Sequence, residues 1–101
     1  MKEPLHSYGE EGKALAQQRR RKEQALKLKD EEKRFLRKLA IRIRDLRTAS
    51  GITQEKFYAD TNIHIGRIET GRYNISINTL YRICAYFEIS VKDFFEEIKK
   101  R

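Results

Sequence analysis

Between Asn62 and Thr70 the chain sets out side chains suited to reading a base edge. On a helical wheel Ile63, Gly66, Arg67 and Thr70 share one side, with Asn62 at the leading end, and Ile65 and Ile68, with Thr61, point the other way. Arg bonds guanine at two atoms, Asn does the same for adenine, and an apolar side chain meets the thymine methyl. The outer side carries no acid and is small at Gly66, so it can approach a partner closely. Its orphan amides favour phosphate. Catalytic arrangements are missing. Glu31-Glu32 and Glu96-Glu97 are neighbours, which a helix turns about 100° apart, so neither is a carboxylate dyad. No nucleophile triad, Cys-His pair or P-loop is present. His6 and His64 are far apart, and Cys84 stands alone on an apolar stripe as a small core residue. No metal site, no cofactor and no enzymatic activity are expected.

These residues need elements to hold them. Phe35, Leu36, Leu39, Ile43 and Leu46 recur at threes and fours, which predicts an amphipathic helix. Asp30 is its expected N-cap and Gly51 its expected stop. Ile41 falls off the apolar face. Thr53 caps a helix from Gln54 to about Ala59. Asp60 or Thr61 caps another from Asn62 to about Glu69, stopped by Gly71. Ser76 caps a third, with Leu80, Ile83, Cys84 and Phe87 as its inner face. Ser90 caps a fourth, with Val91, Phe94, Phe95 and Ile98 inward and Asp93 at the capping-box position. No segment alternates long enough to be a strand. The expectation is all-α: a compact five-helix domain over 31–101, preceded by a basic, partly helical extension over 1–30.

The extension is poor in apolar residues and holds the charge run Gln17-Gln18-Arg19-Arg20-Arg21-Lys22-Glu23-Gln24. Pro4, Gly9 and Gly12 argue against structure before Lys13, and good helix formers follow to Lys29. Two readings stay open: a solvated tail, or a basic arm lying along phosphates. The basic face of the following helix has the same two readings. Over the whole chain Lys and Arg number 23 and Asp and Glu 15, giving a net charge of +8. That balance favours a polyanionic partner. Charged residues make up 38%, against roughly 25% in ordinary soluble domains. One cysteine allows no internal disulfide, and no apolar run is long enough to span a bilayer, so a cytoplasmic, membrane-free setting is expected. Tyr58, Tyr73, Tyr81 and Tyr86 allow base stacking, but their helical and turn spacing favours partly buried packing.

From about Leu39 to Ile98 the chain resembles the Cro/cI-type, or XRE, helix-turn-helix family. The resemblance rests on Ile43-Arg44-Asp45-Leu46-Arg47, Gly51-Ile52-Thr53-Gln54 and Arg67-Ile68-Glu69-Thr70-Gly71. Ser76, Thr79-Leu80, Ile83, Phe87-Glu88-Ile89-Ser90 and Phe94-Phe95 continue it. It implies a lambda-repressor-like fold whose third helix, about Asn62–Glu69, enters the major groove of double-stranded DNA, usually as a homodimer on an operator. By position, Gln54 touches a phosphate or base, and Asn62, Ile63 and Arg67 face base edges. Arg72, Tyr73 and Asn74 meet the backbone. Phosphate contacts set register and base contacts set sequence. The resemblance also makes Arg47 and Glu69 an ion pair tying helix one to helix three. The implied function is transcriptional regulation, with repression as the leading form. The alternative is an antitoxin-like or protein-interaction module, with a toxin or another regulator as partner. The segment from Gln54 to Glu69 is shorter than the family pattern by about a helical turn. Phe57 and Tyr58 stand near the customary Leu-Ala pair, and Asn62 is not expected to replace the turn glycine. The shortening is therefore expected in helix two.

Overall fold

The computed structural model describes residues 3–99, with side chains from Gly12 onward. The side chain of His6 and the conformations of Met1, Lys2, Lys100 and Arg101 lie outside it. Five helices follow one another: α1 Glu3–Ala49, α2 Gln54–Thr61, α3 Ile65–Ile68, α4 Ile77–Tyr86 and α5 Val91–Lys99. There is no strand among the described residues. By its contacts the chain divides into two units, 1–32 and 33–101.

The all-α expectation stands, but α1 departs from it at its start. Helix begins at Glu3 and runs through Asp30 without a break, so Asp30 is not an N-cap. Pro4 falls in the first turn, where the amide it lacks has no intrahelical partner anyway. Gly9 and Gly12 are carried within the helix. The long run of good helix formers on both sides of Asp30 outweighs its own weak propensity, a cost of roughly 0.7 kcal/mol or less.

The second unit is built largely as its spacing predicts, except that Phe35, expected on the apolar face of α1, is exposed and meets the Phe95 ring at 6.3 Å. Leu39 and Ile43 of α1, Phe57 of α2, Ile65 and Ile68 of α3, Leu80, Ile83 and Cys84 of α4, and Phe94 and Ile98 of α5 form one buried cluster. Cys84 is a core residue, its thiol pushed up by burial. Ile41 is exposed. Three hydroxyls cap three helices: Thr53 accepts from the Lys56 amide, Ser76 from that of Thr79 and Ser90 from that of Asp93, each at 3.0 Å. Helix α1 closes at Gly51, whose φ of 70° is left-handed, with the Ile52 amide donating to the Arg47 carbonyl at 3.1 Å. Helix α4 closes in the same way, with Glu88 at φ 56°.

The segment from Gln54 to Glu69 is where the structure corrects the sequence. Helix α2 has eight residues, and α3 is a single turn of four. The shortening therefore falls on the third helix, not the second. Asn62 takes the left-handed conformation at the end of α2, with φ 63° and ψ 19°. It does replace the turn glycine, because Asn tolerates this region better than most side chains. The Thr61 hydroxyl donates to the Phe57 carbonyl at 2.7 Å and accepts from the Ile63 amide at 3.1 Å. Arg82 of α4 donates to the Thr61 carbonyl at 2.6 Å. With the chain turned there, Ile63 drops into the core and only 7% of its surface is exposed. Its side chain is satisfied by apolar neighbours, so it is not on the outer face. His64, not Asp60 or Thr61, precedes α3, and its side chain makes no capping hydrogen bond.

Asp60 joins α2 to α4. Its carboxylate accepts from the Tyr86 hydroxyl at 2.7 Å and pairs with Lys56 at 3.0 Å. These bonds, the tyrosine first, hold the carboxyl below its ordinary range, and the same bond raises the Tyr86 phenol. A depressed carboxylate stabilises the fold above its unfolded pKa and loses that contribution as pH falls through the folded value. The unfolding free energies of wild type and Asp60→Asn are therefore expected to differ at neutral pH and to converge in strong acid. Urea titrations from pH 7 to pH 2 test this, and curves that stay parallel refute it. Of the other tyrosines, Tyr58, Tyr73 and Tyr81 are exposed. Partly buried packing holds for Tyr86 alone among the four.

Candidate nucleic-acid interface

One face of α1 organises the site. Lys33, Arg37, Ala40, Arg44 and Arg47 recur at fours and threes, so they form one stripe. The loop after α3 packs on the small member of that stripe. A Cβ placed on Gly71 would lie 3.7 Å from the Ala40 Cβ and 3.3 Å from the Arg37 Cα. Gly71 also has φ 76°. Both facts require glycine. Gly71→Ala is expected to cost about 2 kcal/mol, from left-handed strain and from crowding against a backbone atom that cannot swing aside. A thermal melt within a degree of wild type would contradict this.

Arg47, at the end of the stripe, ties α1 to the residue after α3. Its Nε donates to Glu69 Oε2 at 2.6 Å and its Nη2 to Oε1 at 2.9 Å. Its Nη1 donates to the Ile52 carbonyl at 2.9 Å. The side chains are 12% and 6% exposed, so the pair is largely withdrawn from water. Donating to the Glu69 carboxylate raises the Arg47 pKa further. The ion pair expected from the resemblance is present, and it is bidentate. Gln54 adds a third donor, with its Nε2 3.2 Å from Glu69 Oε1. Its side chain lies across Gly66, where an added Cβ would stand 2.9 Å from Gln54 Oε1. The small residue at position 66 thus makes room for Gln54.

Around this network the surface is basic and open. Arg67 is exposed on α3, and Arg72, Tyr73 and Asn74 are exposed in the loop that follows. Thr70 is exposed, but its hydroxyl donates to the Arg67 carbonyl at 2.6 Å. Asn62 is exposed at the bend between α2 and α3. Arg44 lines a shallow cleft with Arg47, Gln54, Gly66, Glu69 and Thr70. A second cleft, of about 440 Å³, is lined by Gln54, Glu55, Tyr58, His64, Gly66 and Arg67, among others. There the Tyr58 and His64 rings meet at 4.5 Å between centroids. A third, of about 470 Å³, lies between Lys33, Leu36 and Arg37 of α1 and Thr70, Gly71 and Arg72.

The structure therefore gathers Gln54, Gly66, Arg67 and Thr70 on one surface, with Arg72 beside them, and removes Ile63 from it. The sequence reading did not pair the Tyr58 and His64 rings, and it took Arg44 only as one member of the basic face of the first helix. The stripe of basic residues at helical spacing was the available signal for Arg44, Lys33 and Arg37. No group of residues that could hold a metal ion occurs among the described residues. Nor is any described helix long and apolar enough to cross a membrane.

Two short helices, bent sharply at Asn62 and fastened to a third through Arg47 and Glu69, make a helix-turn-helix unit. A helix-turn-helix family model matches residues 43–94, just over half of the chain. The chain belongs to that family, in its Cro/cI type, a family of DNA-binding transcription regulators. No curated protein and no solved structure gave a match to the chain.

Proposed function

We propose that the protein is a sequence-specific transcriptional regulator, acting chiefly as a repressor, that lays α3 and its flanks against the major groove of operator DNA. The observation that carries this reading is the exposed Arg67 on a helix whose neighbouring acid, Glu69, is consumed by Arg47 and Gln54. A carboxylate beside the groove would repel phosphate, and here it is neutralised inside the fold. Arg67 is the principal base-reading residue, with Asn62 and His64 at the approach to α3. Gln54 keeps an amide hydrogen for a phosphate or base. Arg72, Tyr73 and Asn74 meet the backbone. Two copies reading half-sites a helical turn apart complete the proposal.

Anisotropy with DNA from upstream of the protein's own gene, against a scrambled duplex, tests this. Arg67→Ala removes an exposed side chain that makes no hydrogen bond among the described residues. It is expected to cost about 1–3 kcal/mol of preference for the native duplex. Weak binding that falls steeply with salt should survive. An unchanged preference would remove Arg67 from base reading.

The antitoxin-like reading has its own support. Leu15 and Leu26 are exposed and share one side of α1. A protein partner seated there would bind with little salt dependence. Co-purification with the product of an adjacent gene, lost on Leu15→Ser with Leu26→Ser, would favour it.

A further inference from the structure

We propose that Lys33, Arg37 and Arg72 form a clamp for one phosphate group of a nucleic-acid backbone, separate from the residues that read bases. This rests on the DNA-binding reading above. Three cations line one cleft of about 470 Å³ whose other lining residues are Leu36, Thr70 and Gly71. Among the described residues no carboxylate lines it, and none of the three charged side chains makes a hydrogen bond or ion pair. Lys33 and Arg37 sit at i and i+4 on a helix, a spacing at which like charges repel. The fold then adds a third positive charge. Gly71 lets the loop close onto the Arg37 backbone, and that contact carries Arg72 to the same cleft. An arrangement that concentrates uncompensated charge on rigid backbone is relieved by an anion seated among the three. Leu36 gives the cleft an apolar wall, which strengthens the attraction over its value in open water.

The anion is a backbone phosphodiester because of where the cleft lies. It shares Thr70 with the cleft that holds Arg44 and Glu69, and Thr70 is three residues beyond Arg67. A duplex read by Arg67 presents phosphates along both edges of the groove. Arg forks suit phosphate oxygens, and two of the three cations are arginines. The Thr70 hydroxyl proton is committed to the Arg67 carbonyl, so the clamp works through charge and guanidinium donors.

The test is the salt dependence of duplex binding by the full chain and by a Lys33→Gln, Arg37→Gln, Arg72→Gln variant. Loss of one phosphate contact is expected to lower the slope of log K against log salt by about 0.9. Affinity for native and scrambled duplexes should fall by the same factor, leaving preference intact. A duplex scanned with single neutral methylphosphonates should show one position that weakens the wild type and not the variant. A control variant, Arg19→Gln, Arg20→Gln, Arg21→Gln, removes the same charge outside the cleft. If it loses sensitivity at the same methylphosphonate position, that position does not report on the cleft and the clamp is refuted. If the wild type binds no DNA, the reading of function fails, and the cleft is judged on inorganic phosphate. Phosphate must then shift the Gly71 and Arg72 amide resonances of the wild type and not of the variant. Absence of that shift overturns the clamp, and so does stronger binding of a polyglutamate peptide at the same amides.

Discussion

Arg47→Ala is expected to lower the unfolding free energy by about 3 kcal/mol. That is a large share of the roughly 5–15 kcal/mol that holds a domain together. The cost comes mainly from what is left behind. Glu69, whose side chain is only 6% exposed beside Arg47, loses two charge-assisted bonds, and the Ile52 carbonyl loses its donor. Only the weaker Gln54 bond at 3.2 Å remains to the carboxylate. Replacing both partners with apolar residues of similar volume should recover much of the loss, since no charge is then stranded. Urea melts of Arg47→Ala and of the double variant Arg47→Met, Glu69→Met measure both. A single variant as stable as wild type would mean that the pair is solvated in solution. DNA affinity per folded molecule should change less than stability does, because Arg47 spends its donors inside the fold.

Phe57→Ala should be at least as damaging, at about 3–5 kcal/mol. Phe57 is fully buried and is the one wholly buried side chain of α2. Its ring meets Tyr86 edge-on at 4.7 Å and stacks on Phe87 at 5.5 Å. Truncation opens a cavity where α2 rests on α4, and the Asp60–Tyr86 bond beside it loses its support. The melting temperature should fall by at least about 12 °C. Phe57→Leu, which fills most of the space, should cost about a third as much. Equal losses for the two variants would show that ring geometry, not volume, holds α2 in place.

Much of this fold was legible because its signals are local. Caps at Thr53, Ser76 and Ser90, stops at Gly51 and Gly71, and apolar residues at threes and fours each depend on a few neighbouring residues. The pairing of Arg47 with Glu69 spans 22 residues, yet it too was anticipated, through the family pattern that carries both. The N-terminal start of α1 was not. Pro4, Gly9 and Asp30 are each weak helix residues, but their cost is small beside the sum over a long favourable run.

The sequence by itself determined the all-α class, the order of the helices, the basic surface and most members of the core. The tertiary structure decided which side chains of the reading segment face outward. A wheel drawn from Asn62 assumes that the helix begins there, but the chain first turns through a left-handed Asn62 and begins α3 only at Ile65. That turn is stable because Ile63 gains a place in the core and Arg82 of α4 satisfies the Thr61 carbonyl. Neither partner is near in sequence, so no local rule could have weighed them. The cleft between Lys33, Arg37 and Arg72 has the same origin. Arg72 stands far along the chain from Lys33 and Arg37, and it joins them only because Gly71 allows the loop to rest on α1.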